Sequence, residues 1–317
     1  MGRFVGAWLG FAFLLCVTSG LFAEGESITS RYFLNGDGLI DLANPKTGSS
    51  ARVRYRTLEG TYPPEARQQI DKLFGVPADS DDHISLRLIS FLDFVEDHFQ
   101  LPSIVLVSGY RSQEYNDNLR AKGGGAAKAS LHIEGMAADI FVKKRQAASM
   151  WERLRALQYG GVGFYGGDSL HIDTGPTRFW TQATSKVRTN ISEDNKQIMV
   201  YTDQDIYKPG EKMELKLARI TAYPVSVIPK LSVMKDGQPL QEFALDGKEE
   251  ACLPVRDPTE RTFSWTIPKD LPLEGKVHIQ LQFCDKQFAE MPDQVISNTV
   301  LLEGQPKAGT LSSPTPK

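Results

Sequence analysis

The sequence predicts two folded units in tandem: an α+β domain with a small antiparallel sheet, then an all-β sandwich of immunoglobulin type. Three observations lead there. Between residues 63 and 186, amphipathic helical runs and short β-branched runs are mixed without a regular βαβ beat. From Gln197 onward, strand-like segments follow at short spacing, punctuated by Pro209-Gly210, Asp236-Gly237, Asp246-Gly247 and Glu274-Gly275. Finally, 317 residues that are 41% hydrophobic and 24% charged suffice for two ordinary globular domains. The net charge of −3 provides no basic footprint, so nucleic acid is not an expected partner.

Residues 1–23 read as a signal peptide. Arg3 precedes the uncharged apolar run Phe4–Val17, and small residues lead to a cleavage point after Ala23. Export to a periplasmic or cell-envelope location follows, with membrane contact only through this leader. Two alternatives are an uncleaved anchor and a lipoprotein modified at Cys16, although Leu15 is not the small residue expected before a lipidated cysteine. Removing the leader leaves Cys252 and Cys284. In an oxidising compartment they can pair as a disulfide or stay as buried thiols, and spacing alone does not separate the two.

Residues 24–62 form an N-terminal arm. It carries the turn signals Asn35-Gly36-Asp37-Gly38 and Asn44-Pro45, with short strands at Leu39–Leu42 and Ala51–Tyr55. Pro63-Pro64 opens the main domain, 63–186, with a helix stopped by Gly75 and Pro77. Ser80-Asp81-Asp82 is predicted to cap a longer helix whose apolar positions are Ile84, Leu88, Phe91, Leu92, Val95 and Phe99. Ser103–Val107 is a β-branched core strand, and Ser112 caps the next helix. Ala137–Val142 is a strand. The helix from Arg145 to Gln158 should bury Ala148, Trp151, Leu154 and Leu157. Gly160–Tyr165 and Leu170–Asp173 read as two strands around a tight turn. Seven strands are expected in the sandwich, 190–303, and 304–317 is a polar tail.

The chemistry concentrates in two stretches, Ser130-Leu131-His132-Ile133-Glu134-Gly135-Met136-Ala137-Ala138-Asp139 and Asp168-Ser169-Leu170-His171-Ile172-Asp173. Catalytic zinc takes His and Asp donors and keeps one position open, so three protein ligands are the number to seek. His132, Asp139 and His171 supply three, with Gly135 between the first two to turn the chain. Spacing by itself leaves a structural reading of these histidines open. Asp173 is assigned an orienting role rather than that of a fourth ligand, which would close the site. Glu134 is given no role.

Residues 103–180 resemble the zinc peptidases of the M15 class, the D-alanyl-D-alanine type. The resemblance rests on Ser130-x-His132-x-x-Gly135-x-Ala137-x-Asp139 followed by His171-x-Asp173. Ser108-Gly109-Tyr110-Arg111-Ser112, Gly160-Gly161-Val162-Gly163 and His171-Ile172-Asp173-Thr174-Gly175-Pro176, with Arg178 and Trp180, are closer to the YcbK-like murein endopeptidases. Residues 37–60 resemble the short arm of that branch. The resemblance implies one Zn2+ per chain, held by His132, Asp139 and His171. It implies Asp168 as the proton-transferring acid, Arg111 as a contact to the substrate carbonyl or oxyanion, and Ser130 as a substrate contact. Plainer readings stand beside these: a turn aspartate for Asp168, a salt bridge to Asp117 or Glu114 for Arg111, and a turn hydrogen bond for Ser130. Tyr110 is a candidate substrate contact or a core or cleft-wall aromatic, and Trp180 likewise a core or cleft-wall aromatic. The implied activity is hydrolysis of peptidoglycan stem peptides or cross-links, as an endopeptidase or a D,D-carboxypeptidase. A zinc-stabilised wall-binding module without turnover is the reading from another class. The sandwich, lacking a catalytic constellation, would bind wall polymer or a partner protein.

Overall fold

The computed structural model describes residues 30–186, 189 and 191–304. The expected signal peptide, the Cys16 lipidation site and nearly all of the polar tail lie outside the described residues. No helix among the described residues is long and apolar enough to cross a membrane.

The N-terminal region is mixed α/β. Its elements are β1 (Leu39–Asn44), β2 (Ser49–Arg54), α1 (Pro64–Phe74), α2 (Leu86–Phe99), β3 (Ile104–Ser108), α3 (Gln113–Ala121), β4 (Ala137–Phe141), α4 (Lys144–Ala156), β5 (Gly161–Phe164), β6 (Ser169–Asp173) and β7 (Arg178–Thr181). The strands form one seven-stranded sheet in the order β2-β1-β3-β4-β6-β5-β7. This corrects the expectation of a small antiparallel sheet. The hairpin β1–β2 joins through a parallel β1–β3 pairing, and β7 adds in parallel to β5. Neither long-range pairing leaves a local sequence signal.

Strand alternation divides the sheet into two faces. Ala138 and Ile140 of β4, with Leu170 and Ile172 of β6, pack into a core shared with α1, α2 and α4. Asp139, His171 and Asp173 therefore project from the other face. The helices deviate from expectation in two places. Helix α2 begins at Leu86, not behind Asp81-Asp82, because Asp71 of α1 takes the Ile84 N–H at 2.8 Å and Gly135 O takes the Ser85 N–H at 2.9 Å. Helix α4 buries Ala147, Met150 and Leu154 and packs Trp151 on the core, so Leu154 and Trp151 face inward as expected while Ala148 and Leu157 are exposed.

The C-terminal region is β-rich, with β8 (Met199–Thr202), β9 (Ile206–Tyr207), β10 (Lys212–Ala218), β11 (Val225–Lys235), β12 (Gln238–Ala244), β13 (Leu253–Val255), β14 (Thr262–Thr266), β15 (Gly275–Phe283), β16 (Gln294–Ile296) and β17 (Val300–Leu302). Strands β14, β10 and β8 form a three-stranded sheet, and the others form a larger one. Met213, Leu215 and Trp265 of the first share a core with Val227, Val233, Ile279 and Leu281 of the second. Seven strands were expected and ten are present among the described residues: β9 and β13 are short additions, and the segment Val295–Leu302 breaks into β16 and β17. Cys252 and Cys284 are joined as a disulfide, with Cα atoms 6.3 Å apart.

The two regions are pinned together by buried polar contacts. Arg87 of α2 donates to Asp205 at 2.7 Å, with both side chains almost fully buried, and Tyr159 donates to the same carboxylate at 2.7 Å. Glu134 is clamped between the Arg219 N–H at 2.9 Å and the Arg261 guanidinium at 2.5 Å. Leu131, Met136 and Ala137 pack on Met199, Tyr201 and Ala218. The loop that carries His132 is thus supported from behind by β8 and β10.

Candidate metal centre

Register places the donors. In the antiparallel β4–β6 pair, Asp139 stands opposite His171. His132 comes from the loop before β4. Its backbone carbonyl accepts the Arg111 N–H at 3.2 Å, and its ring nitrogen Nδ1 donates to Gly109 O at 2.7 Å. Gly135 turns this loop with φ +64°, so close to the chain that a Cβ would lie 2.3 Å from His83 O.

Each imidazole has one nitrogen anchored and one facing Asp139. His132 Nε2 is 3.5 Å from Asp139 Oδ2. His171 donates from Nε2 to Asp173 Oδ2 at 2.8 Å, and its Nδ1 lies 2.9 Å from Asp139 Oδ1. Asp173 is itself held. Arg178 grips it with two nitrogens at 2.9 and 2.6 Å, and the Gly161 and Gly175 N–H groups donate to Oδ1. This is the arrangement by which a carboxylate fixes the tautomer of a ligating histidine. One donor atom from each of His132, Asp139 and His171 lies within 4.8 Å of the others, a buried cluster compatible with metal coordination. The donor set, two anchored imidazoles and one carboxylate, suits zinc.

The electrostatics of His132 and Asp139 favour their ligating forms, while those of His171 favour its proton. Burial pulls the His132 imidazole down towards its neutral, ligating form. Burial pushes the Asp139 carboxyl up, but the facing His132 and His171 outweigh it and hold the group well below the usual carboxylate range. For His171 burial acts downward, and the carboxylates of Asp139 and Asp173 prevail to raise it.

The cluster opens on a cleft of about 600 Å³. Arg111, Ser130, His132, Asp139 and His171, all singled out from sequence, line it together. Arg111 donates to Asp139 Oδ2 at 3.0 Å and to Ser108 Oγ at 3.1 Å, not to Asp117 or Glu114. Two residues from the sequence reading are not brought in. Tyr110 packs on the helical core and donates to Asp82 Oδ2 at 2.6 Å, outside the cleft lining. Asp168 is exposed in the β5–β6 turn, and its backbone carbonyl accepts the Val142 N–H at 2.8 Å. It precedes Leu170 by two positions, so strand alternation directs it away from the His171 face.

Of the other cleft residues, Arg178 and Trp180 were singled out from sequence and Tyr165, Gln197 and Arg219 were not. Trp180, expected as core or cleft wall, stands beside His171 with ring centroids 5.0 Å apart, and it donates to Tyr165 Oη at 2.9 Å. Gly163 makes room for it, since a Cβ there would meet the indole at 2.4 Å. Gln197 and Arg219 enter from the β-rich region.

Residues 36–180 match the M15 peptidase family described as Peptidoglycan L,D-endopeptidase MepK. Curated relatives carry that name, among them proteins from Escherichia coli and Haemophilus influenzae. The Escherichia coli K12 protein is 40% identical over 78 residues, 24% of this chain and 43% of the relative. A probable L,D-endopeptidase MepK from Haemophilus influenzae is 37% identical over 78 residues, 24% of this chain and 42% of the relative. The aligned stretch therefore spans less than half the length of these curated relatives. They are named for L,D rather than D,D cleavage, so the branch agrees with the sequence resemblance and the D,D specificity does not carry over. A solved structure of the sporulation control protein Spo0M from Bacillus subtilis aligns at TM-score 0.21 and 16% identity, over 34% of this chain and 49% of that one, and bears no argument.

Proposed function

We propose that this chain is an exported zinc-dependent peptidase acting on peptide bonds of peptidoglycan stem peptides or cross-links, as an endopeptidase of the L,D type. One observation carries the reading: two imidazoles, each anchored through one nitrogen, converge with Asp139 at the wall of a cleft. His132, Asp139 and His171 would hold the ion. When bound, zinc would polarise the scissile carbonyl and acidify a water.

The remaining roles belong to the chain. Asp173 and Arg178 orient His171. Arg111, fixed by Ser108 and Asp139, presents its remaining N–H groups to the oxyanion that develops on the carbonyl. Ser130, buried at the cleft wall, contacts the substrate backbone. Asp139 is the one carboxylate among the described cleft-lining residues and is committed as a ligand, so the proton acceptor comes from the rim. We assign it to Asp168, which takes the proton of the attacking water and returns it to the leaving amine. This requires the Gly166-Gly167 turn to carry Asp168 over the strand edge, and Gly166 has φ +78°. We read the β-rich region, 190–303, as an immunoglobulin-like sandwich.

The exposed position of Asp168 favours one second reading, a wall-binding module without turnover. Incubating zinc-loaded protein with cross-linked muropeptides, with and without chelator, and weighing the products decides between them. New stem-peptide fragments that chelator suppresses are the expected result, and their masses separate endopeptidase from D,D-carboxypeptidase action. Intact muropeptides in the presence of bound zinc would leave the binding module. Asp168→Asn is expected to lower kcat by roughly 100-fold or more while zinc content stays unchanged. Unaltered turnover would remove Asp168 from the reaction.

A further inference from the structure

The residue of interest is Arg219, which belongs to the β-rich region just past β10 yet lines the cleft of the metal cluster. Its backbone has φ +60°. Its N–H is held by Glu134 Oε1, its Nε donates to Ala129 O at 2.9 Å, and its Nη2 donates to Gln197 Oε1. The guanidinium is therefore fixed by a carbonyl and an amide, neutral groups that orient it without neutralising it. Its Nη1 has no partner among the described residues.

The surrounding charges make this informative. Of the other cleft cations, Arg111 is paired with Asp139 and Arg178 with Asp173. Lys186 and Arg219 have no ion pair among the described residues, and Asp139 is the single acidic lining residue among them. Burial and the nearby Arg178 pull the Arg219 guanidinium down to about 10, against the weaker opposing pull of Asp173 and Glu134, neither of which forms an ion pair with it. An oriented, half-buried and uncompensated arginine is a receptor for a carboxylate, because its fork geometry matches that group and little ordering entropy remains to be lost.

We propose that Arg219, with Lys186 at the rim, receives a free glutamyl or diaminopimelyl carboxylate of the peptide substrate, so that the β-rich region completes the substrate cleft and sets its specificity. This rests on the peptidase reading above and deepens it. Stem peptides carry free carboxylates on their glutamyl and diaminopimelyl residues, beside the bonds such an enzyme would cut. Arg219 is a binding residue here and takes no part in bond cleavage.

The test uses the full chain and three probes: the stem tetrapeptide L-Ala-γ-D-Glu-diaminopimelyl-D-Ala, its glutamyl α-amide, and its diaminopimelyl amide. Equilibrium binding is read by calorimetry on zinc-free protein, where no cleavage intervenes, and KM and kcat on zinc-loaded protein. Wild type is expected to bind the free peptide roughly 10-fold or more tighter than one of the two amides, the loss identifying which carboxylate is read. Arg219→Gln should collapse that ratio towards one and raise KM more than it lowers kcat, and Arg219→Lys should restore part of the ratio. A wild-type ratio near one for both amides overturns the proposal even should the variant fail to fold. So does an Arg219→Gln protein that keeps the wild-type ratio, or that weakens all three peptides equally. Absence of hydrolysis of these peptides and of cross-linked muropeptides, with the ratio intact, would sink the peptidase reading alone.

Discussion

Two clusters in the N-terminal region bring three potential ligand residues within 4.8 Å: His132, Asp139 and His171 on one side, Asp37, Asp93 and Asp97 on the other. Proximity is equal and chemistry is not. In the first, anchoring bonds to Gly109 O and Asp173 use one nitrogen of each imidazole and leave the other free to ligate. In the second, the carboxylates already accept hydrogen bonds from the turn before β1. Asp93 Oδ2 takes the Gly38 N–H and the Tyr55 hydroxyl, Asp97 Oδ2 takes the Asp37 N–H, and Asp37 Oδ1 takes the Leu39 N–H. Gly36 lies so close that a Cβ would sit 2.4 Å from Asp93 Oδ1. The acidic cluster is a clamp that fastens the β1–β2 hairpin to α2, whereas the histidine cluster opens on a cleft. Donor chemistry and setting distinguish the two, anchored imidazoles on a cleft against carboxylates that fasten a turn, not spacing.

The largest expected effect comes from breaking the first cluster. His132→Ala or Asp139→Ala should remove bound zinc, measured by mass spectrometry of the metal, and lower hydrolysis by roughly 1,000-fold or more. Asp37→Ala should leave zinc content at the wild-type level. Loss of zinc from the Asp37 variant would mean that the clamp, too, is a metal site. Chelation should act in the same direction on stability, since an ion at about 1,000 times its dissociation constant adds roughly 4 kcal/mol to the folded state. A melting temperature that zinc does not raise, or that zinc raises equally in His171→Ala, would break the comparison.

A smaller effect is expected one layer out. Asp173→Asn keeps the side-chain shape but weakens the acceptor for His171 Nε2 and the partner of Arg178. Zinc affinity should fall roughly 10- to 100-fold, read by competition with a chromogenic chelator, with the fold retained. Unchanged affinity would reduce Asp173 to a structural partner of Arg178.

The histidine cluster was legible because a short motif carries most of it. His132 and Asp139 are seven residues apart around a glycine, and strand alternation in β4 and β6 puts Asp139 and His171 on one face. The clamp was not legible, because Asp93 and Asp97 lie on a helix whose pattern announces only an apolar face. Asp81 and Asp82 failed as a helix cap for a similar reason: a tertiary bond from Asp71 to the Ile84 N–H moved the start of α2. Glu134 carried no signal in sequence, and its partners Arg219 and Arg261 lie 85 and 127 residues away. Arg219 is unreadable in the same sense, as nothing near it in sequence points to the cleft. Local chemistry is encoded in short spacings, and whatever the second region supplies is visible only after docking.

The smallest effect concerns how the clamp titrates. Burial pushes Asp93 up to about 6, against the opposing bonds from Tyr55 and Gly38, and burial likewise pushes Glu96 up to about 7. A carboxyl raised on folding binds its proton more tightly in the native state than in the unfolded chain, where Asp and Glu titrate near about 4. Its contribution to stability is therefore fully present below that unfolded value and is lost as pH rises through about 6 to 7. Asp139, held low by its histidines, has the opposite sense. Asp93→Asn retains an acceptor for Gly38 and Tyr55 but cannot ionise. Metal-free wild type should lose melting temperature relative to this variant between about pH 4.5 and 7.5, by several degrees on the scale of roughly 2–4 °C per kcal/mol. Parallel melting curves across that range would mean that Asp93 does not change its charge there on folding.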